Sequence, residues 1–324
     1  MSKNERQSGQ ATVITVVFMT VLIAMAAAVL DIGSWYRADR ALQATVDAAA
    51  LAGAQALPDS AAQAQALALE YANKNGGDVD VTEIAITSKT IANDTITVDA
   101  TAPAPGFFSR IFGIDSVTVG ARAVARAGGG QSFKYVAPIV VHEKHPKLVC
   151  GTACFNADNE FELTYQHLKT GDGKGKDDDD DDGDSGPDGS GSFGFINLTN
   201  EGGVGSSELG DWILNGLDQY MPLGNYNTST GNPFSSNNIK GALEHRLGNE
   251  PTLLFPVYQT LTGTGDNAEY KIVGWVAFHI TGMNLAGNNE KIKGWFEEVI
   301  WDGILTESGT GSLPNGIKVV ELVE

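Results

Sequence analysis

Residues 11–32 read ATVITVVFMTVLIAMAAAVLDI, an apolar run that carries no charged side chain before Asp31. A helix of about 20 apolar residues crosses the hydrocarbon core of a bilayer. The polar side chains before Asp31 are Thr12, Thr15 and Thr20, and a threonine hydroxyl can bond to a carbonyl oxygen of the preceding helical turn. The run therefore predicts a transmembrane helix.

The predicted helix continues well beyond the membrane, because the first proline of the chain is Pro58. At about 1.5 Å per residue, a helix from Ala11 to Leu57 would extend roughly 70 Å, more than twice the hydrocarbon thickness. Its distal part carries a stripe of apolar or small residues on one face. The stripe consists of Leu42, Val46, Ala49, Gly53 and Leu57. It would pack either on the following β segment or on a helix of another protein.

A cleaved signal peptide is the alternative interpretation of this N-terminus. A basic stub, Lys3 to Arg6, precedes the apolar core, and small residues at positions 24–28 offer a cleavage site. The apolar character passes this site and continues through Ile32, which favours an uncleaved anchor.

Orientation is weakly specified, because basic residues flank both ends of the run. Lys3 and Arg6 precede it, and Arg37 and Arg40 follow it, so the positive-inside rule gives no majority. We expect a single-pass protein of the cell membrane with a short cytoplasmic N-terminus and an extracytoplasmic body. The cysteine pair, Cys150 and Cys154, and the glycine-rich body suit the exterior.

Composition excludes some functions. The chain has 324 residues, 39 glycines and a formal net charge of -19. Nucleic-acid binding needs clustered Lys and Arg, so nucleic acid is not an expected partner. Residues 171–192 concentrate much of the acidic charge in a polar, low-complexity insertion that cannot bury a core and is expected to be disordered.

Several short motifs occur in a fixed order through residues 1–127. They are Gly9-Gln10, Asp31-Ile32-Gly33, Tyr36, Arg40, Leu42-Gln43, the block 47–52, a strand at 96–100, Phe107-Phe108, Ile111-Phe112-Gly113 and the strand ending at 121–125. In order and spacing they resemble the Tad (tight adherence) or Flp pilus-assembly TadE/TadG-like family. The resemblance implies a membrane-anchored, non-catalytic protein whose partners are the lipid bilayer and other Tad pilus-assembly proteins.

One position departs from the type IV pilin-like members of this resemblance. They carry a Glu five residues after the cleavage site, whereas a cut after Gly9 would place Ile14 there. The span then has no carboxylate to neutralise a neighbour's new N-terminus. This favours an accessory anchored component over a polymerising pilin.

The pattern beyond the anchor predicts an α+β protein in four parts. Residues 1–57 form the anchor and projecting helix, and residues 58–127 form a small unit of one helix and a β-sheet. A glycine linker, 128–132, leads to a β-rich extracytoplasmic domain, 133–324, with two short helices. In the small unit the predicted strands are 79–87, 91–101 and 116–127. The last domain fits a small barrel or sandwich.

Candidate sites are few, and no catalytic constellation is evident, so we do not expect an enzyme. Asp178, Asp180 and Asp182 match the opening of a calcium loop, but Gly189 stands where the closing Glu would be. A solvated acidic loop is the favoured interpretation, and calcium binding by these residues is the alternative. Cys150 and Cys154 are expected to form a small disulfide.

Two further groups of residues leave alternatives open. His142 and His145 could join the cysteines in a zinc site, although the spacing is unusual. Aromatic residues could form a glycan-binding surface if at least two rings were exposed and coplanar; otherwise they are core. These are Trp212, Tyr220, Tyr226, Trp275, Trp295 and Trp301. The alternative function is thus an anchored surface-binding module for a glycan, a cell-wall polymer or calcium.

Overall fold

The computed structural model describes residues 5–76, 80–165, 192–229, 234, 236–263, 268–285, 290–306 and 314–323. The chain divides into two compact units, both in the α+β class that the sequence predicts. Unit 1 comprises residues 1–127 with residues 321–324, and unit 2 comprises residues 128–320.

Unit 1 contains two helices and three consecutive strands that pair antiparallel. Its elements are α1 (Glu5–Ala54), α2 (Ala61–Gly76), β1 (Asp80–Thr87), β2 (Thr95–Pro105), a 3-10 helix (Ser109–Phe112) and β3 (Ser116–Gly128). The strands lie in the order β1-β2-β3, with β2 paired to both neighbours. The long β2–β3 ladder pairs Thr95 with Arg126 and continues to Pro105 opposite Ser116.

Helix α1 is a single uninterrupted helix that covers both the apolar run and the alanine-rich stretch. It begins at Glu5, earlier than the predicted Ala11, and ends at Ala54. The hydroxyls of Thr15 and Thr20 donate to the carbonyl oxygens of Ala11 and Val16, each at 2.9 Å. These bonds satisfy the hydroxyls inside the helix, as the sequence analysis predicts for this span.

The stripe on the distal half of α1 packs within the chain. Leu42 is 2% exposed and Val46 is fully buried. At Gly53, an added Cβ would lie 2.5 Å from the Ile96 side chain and 2.8 Å from the Ala64 carbonyl oxygen. Strand β2 and helix α2 therefore approach α1 closely at this point, and intramolecular packing is the interpretation that the structure confirms.

The hairpin between β1 and β2 corrects one predicted boundary. Strand β2 begins at Thr95 and not at residue 91, because Asp94 organises a turn. Its carboxylate accepts the backbone N–H groups of Lys89, Thr90 and Ile91 at 2.7–2.9 Å. Residues whose amides bond to a side chain in this way are not available to the strand ladder.

Unit 2 is rich in short strands. The strands are β4 (Gly130–Phe133), β5 (Ile139–His142), β6 (Phe161–Tyr165), β7 (Ser192–Phe195), β8 (Met221–Pro222), β9 (Gly224–Asn227), β10 (Thr252–Thr262), β11 (Glu269–Asn284), β12 (Lys291–Glu297), β13 (Val299–Ile300), β14 (Gly303–Leu305) and β15 (Ile317–Leu322). The helices are α3 (Pro146–Val149), α4 (Ser206–Asn215) and α5 (Asn237–Asn249), with 3-10 turns at Gly151–Cys154, Ala157–Asn159 and Pro314–Gly316.

Six strands of unit 2 close into a ring, so the barrel is the correct one of the two predicted arrangements. The order is β10-β5-β7-β6-β12-β11, and β11 pairs back onto β10; β9 pairs with β11 outside the ring. The core is aromatic: Phe255 stacks on Phe278 at 5.2 Å between ring centroids, and Phe296 meets Phe278 edge-on at 5.7 Å. A smaller sheet has the order β14-β4-β8.

Two segments of the predicted domain organisation are the linker, residues 128–132, and the acidic insertion, residues 171–192. Residues 128–132, expected as a glycine linker, instead carry the end of β3 and the start of β4. The boundary between the two compact units falls between residues 127 and 128, at the start of this segment. The acidic insertion predicted at 171–192 lies outside the described residues, apart from Ser192 at the start of β7.

The C-terminal residues return to unit 1. Strand β15 runs through Leu322, and the Val323 N–H then donates to the Val124 carbonyl oxygen of β3 at 2.9 Å. Unit 1 is therefore built from both ends of the chain.

Candidate functional site at the membrane-proximal end of the long helix

The proximal part of α1 exposes apolar side chains on all sides. Ile14, Phe18, Ile23 and Val29 are each at least 61% exposed. By length and composition the helix qualifies as a membrane span from Gln10, and its most apolar stretch buries nothing inside the folded chain. Burying one large apolar side chain is favourable by about 1.5–3 kcal/mol, so this surface strongly favours a bilayer over water.

Asp31, at the end of the apolar run, binds the loop that follows β2. Its Oδ1 accepts the N–H of Phe107 at 2.8 Å, and its Oδ2 accepts the N–H of Ser109 at 2.6 Å. The Phe108 N–H lies 3.1 Å from both carboxylate oxygens. The carboxylate is 3% exposed and thus satisfies the free N–H groups at the start of the 3-10 helix.

The loop itself, Gly106 to Ile114, is closed by its own hydrogen bonds. The Gly106 N–H donates to the Asp115 carbonyl oxygen at 3.1 Å, and the Ser109 hydroxyl donates to the Ile114 carbonyl oxygen at 3.0 Å. A Cβ at Gly106 would lie 1.8 Å from the Ser109 Oγ, so a side chain at this position would displace the hydroxyl that bonds to Ile114. Local sequence patterns do not connect Asp31 with this loop, because the two are more than 70 residues apart in the chain.

Other motif residues hold the emerging helix on the sheet. The Gln43 side chain donates to the Asp47 carboxylate at 2.8 Å and to the Arg122 carbonyl oxygen of β3 at 2.9 Å. One turn closer to the membrane, the Arg40 Nε donates to the Tyr36 hydroxyl at 3.0 Å. Gln43 therefore ties α1 to the sheet, as Asp31 ties it to the loop, whereas the Arg40–Tyr36 bond lies within α1.

The two cysteines of unit 2 lie together. Cys150 and Cys154 are joined by a disulfide with the Cα atoms 6.0 Å apart. Their sulfurs are then not thiolate ligands, and the zinc arrangement with His142 and His145 does not form. Both imidazole Nδ1 atoms instead accept backbone N–H groups, from Lys144 at 3.0 Å and Lys147 at 3.2 Å.

The remaining predicted site residues are dispersed. Asp178, Asp180 and Asp182 lie outside the described residues, and within the described part of the chain no three acidic, histidine or cysteine side chains converge on a metal position. Of the six candidate aromatic rings, Trp212, Tyr226 and Trp275 are buried and Tyr220 is 44% exposed. The Trp295 ring stacks on His279 at 4.3 Å, and the Trp301 indole donates to the Lys134 carbonyl oxygen at 2.8 Å.

The geometry defines a class: a membrane-anchored protein whose anchor helix continues directly into a folded α+β unit. Residues 9–56 match a family model described as "Tad: Putative Flp pilus-assembly TadE/G-like". This match confirms the resemblance drawn from the sequence motifs and supports involvement in Flp/Tad pilus assembly. Neither the curated proteins nor the solved structures include a match to this chain.

Proposed function

We propose that this protein is a non-catalytic, single-pass component of an Flp/Tad pilus-assembly or secretion apparatus. It anchors an extracytoplasmic body beside the apparatus and acts through contacts with other Tad proteins. The observation that carries the proposal is helix α1. Its proximal part is an exposed apolar span, its distal part is core of unit 1, and the family match covers the transition between the two.

The proposed orientation places the N-terminus in the cytoplasm and both units outside. The Cys150–Cys154 disulfide supports this orientation, since disulfides persist in oxidising compartments outside the cytoplasm. The absence of a Glu at position 14 supports an accessory role over polymerisation.

Intact-mass measurement of the mature protein after membrane fractionation tests the anchor. The proposal predicts a chain that stays with the membrane and retains residues 11–32. A cut after Gly9 would still leave the anchor, whereas a cut near Ala28 with release into the soluble fraction would contradict it. Comparison of reduced and unreduced samples in the same measurement reports the oxidation state of the two cysteines.

Site-specific photocrosslinking in cells, with the full chain, tests the assembly role. A photoreactive residue replaces exposed Tyr71 on α2 in one variant and exposed Tyr220 of unit 2 in another. We expect at least the unit 1 position to crosslink to other Tad proteins. Crosslinks from neither position to any Tad protein, in a chain that is present in the membrane, would refute the assembly role.

The alternative, a surface-binding module for a glycan, has less support. It requires two exposed, coplanar rings, and Tyr220 is the one exposed ring among the six candidates. The calcium alternative depends on Asp178, Asp180 and Asp182; calorimetric titration of the full chain with calcium, showing no saturable heat, would eliminate it.

A further inference from the structure

The loop that Asp31 binds displays large apolar side chains to the surroundings. Phe107 is 70% exposed, Ile111 is 79% exposed and Phe112 is 80% exposed. All three belong to the segment Gly106 to Ile114, here called the interfacial loop. Contiguous exposed apolar side chains of this size mark an interaction surface.

The height of the interfacial loop relative to the membrane follows from the anchor. The loop amides bond directly to the Asp31 carboxylate, so the loop lies at the level of Asp31 along α1. Asp31 ends the run that spans the hydrocarbon, which puts this level at the boundary between acyl chains and headgroups. Exposed Ile32 and Tyr36 of α1 adjoin the same level.

We propose that the interfacial loop is a second membrane contact, which inserts Phe107, Ile111 and Phe112 into the headgroup–acyl boundary beside the anchor helix. The proposal rests on the anchoring role proposed above. Its occupant is the bilayer and not a protein, because these exposed apolar side chains lie at the level where the exposed apolar surface of the span ends.

The chemistry of the interfacial loop suits this boundary. Several of its backbone polar groups already have hydrogen-bond partners. Asp31 accepts three backbone N–H groups, and the Ser109 hydroxyl donates to the Ile114 carbonyl oxygen. Few backbone groups would therefore lose hydrogen bonds when the loop leaves water. Arg110 is exposed on the same loop and can reach lipid phosphates, as can Arg37 just beyond the span. Asp115, also exposed, follows the loop at the start of β3.

Depth-dependent quenching tests the proposal in the full chain. The chain is reconstituted into vesicles of phosphatidylcholine and phosphatidylglycerol, with an environment-sensitive fluorophore on one introduced cysteine. A Cys150→Ser, Cys154→Ser background leaves that thiol as the sole target. The three positions are Val17→Cys in the span, Ile111→Cys in the interfacial loop and Gln63→Cys on α2.

Gln63 is the matched control, because it is an exposed position of the same unit as Ile111. It adjoins Ala64, whose carbonyl oxygen lies near Gly53. Gly53 lies about 33 Å beyond Asp31 along α1 at 1.5 Å per residue. The Gln63 fluorophore should therefore remain in water.

The proposal predicts that a nitroxide near the lipid headgroups quenches Ile111→Cys more than a nitroxide deep in the acyl chains does. This corresponds to insertion by about 5–10 Å. Val17→Cys should show the reverse preference, and Gln63→Cys should show no quenching. Quenching at Val17 with Ile111 behaving like Gln63 would overturn the interfacial loop and leave the anchor intact.

Loss of quenching at Val17 would instead refute the anchor, and with it the present proposal. If Ile111 were shielded from water only after other Tad proteins were added, the surface would be a protein-docking site, which also overturns the proposal. The Ile111→Glu substitution in the Gln63-labelled chain checks that changes in the interfacial loop leave unit 1 folded. Hydrogen exchange at Thr90 and Ile91, whose amides bond to Asp94, should not change.

Discussion

At the scale of single residues, two buried aspartates organise unit 1. Asp31 binds the amides of Phe107 to Ser109, and Asp94 binds the amides of Lys89 to Ile91. Both are fixed by charge-assisted hydrogen bonds to backbone N–H groups, which are stronger than neutral ones. Asp94 organises a turn in its own neighbourhood, whereas Asp31 fixes a loop more than 70 residues away in the chain.

Substitution Asp31→Asn should loosen the interfacial loop without affecting the span. The amide keeps one acceptor oxygen but turns an NH2 group toward N–H donors, and bonds to a charged group contribute about 1.5–3 kcal/mol. Hydrogen exchange at Phe107 to Ser109 should accelerate, while exchange in the Asp94 turn should not. Asp115→Asn, at an exposed site, is the matched control. Unchanged protection at Ser109 would contradict the role given to Asp31.

Asp94 should make the hairpin sensitive to acid. Burial alone would raise the pKa of Asp94, but three backbone N–H donors and the Thr95 hydroxyl outweigh it and hold the pKa below its ordinary value. The unfolded chain therefore binds the proton first as the pH falls from about 3.9, and the stabilisation is lost through the lowered pKa.

The measurement is hydrogen exchange at Thr90 and Ile91 against pH in the detergent-solubilised chain. Protection should decline as the pH falls through this window. Asp94→Asn should cost about 2 kcal/mol at neutral pH, which is roughly 30-fold faster exchange, and should remove the pH dependence. A variant that kept the acid-sensitive step would show that another group causes it.

At the scale of elements, close packing of α1 is the main device of unit 1. Ala64, Ala68 and Ala72 of α2 are all fully buried, and Gly53 of α1 lies against the first two. Small residues allow two helix backbones to approach, which larger side chains would prevent. The alanine content of residues 41–76 therefore has a packing function and does not simply reflect helix propensity.

Gly53→Ala should destabilise unit 1 although alanine favours helix by about 1 kcal/mol over glycine. The new methyl would lie 2.8 Å from the Ala64 carbonyl oxygen, a backbone atom that can move only with α2. Overpacking of this kind costs about 1–3 kcal/mol. Hydrogen exchange of the α2 amides is the measurement. Gly33→Ala, whose Cβ would meet nothing within 4 Å, is the control and should be neutral or stabilising.

At the scale of the whole molecule, the C-terminal residues join unit 1. Residues 321–324 belong to unit 1, although residues 128–320 form unit 2 between them and the rest of it. Unit 1 therefore contains the anchor helix, strands β1 to β3 and the C-terminal residues. A change at the C-terminus should affect strand β3 of unit 1 around Val124.

Deletion of residues 321–324 should lower the stability of unit 1 by about 1 kcal/mol, the order of one net hydrogen bond. The deletion removes the Val323 N–H that donates to Val124 and exposes that part of β3. Hydrogen exchange of β3 amides should accelerate, and deletion of Glu324 alone should have little effect. An effect confined to unit 2 would contradict this topology.

Much of the fold was predictable from local patterns. The apolar run of residues 11–32, the helix that continues it and the presence of three strands in unit 1 all follow from periodicity and from the position of Pro58. The predicted start of β2 at residue 91 was wrong, because the Asp94 carboxylate accepts backbone N–H groups of residues that propensity assigns to a strand. Residues 128–132, predicted as a linker, carry the ends of two strands, because glycine composition does not reveal whether a backbone finds a pairing partner.

The sequence by itself determined that this chain has a membrane anchor, an α+β body and a TadE/G-like N-terminal segment. These properties depend on residue type and spacing along one stretch of chain. Only the tertiary structure decided that Asp31 binds Phe107 to Ser109, that six strands close into a ring, and that Val323 pairs with Val124. Those contacts join residues distant in sequence, and they form because buried carboxylates and strand edges must find hydrogen-bond partners.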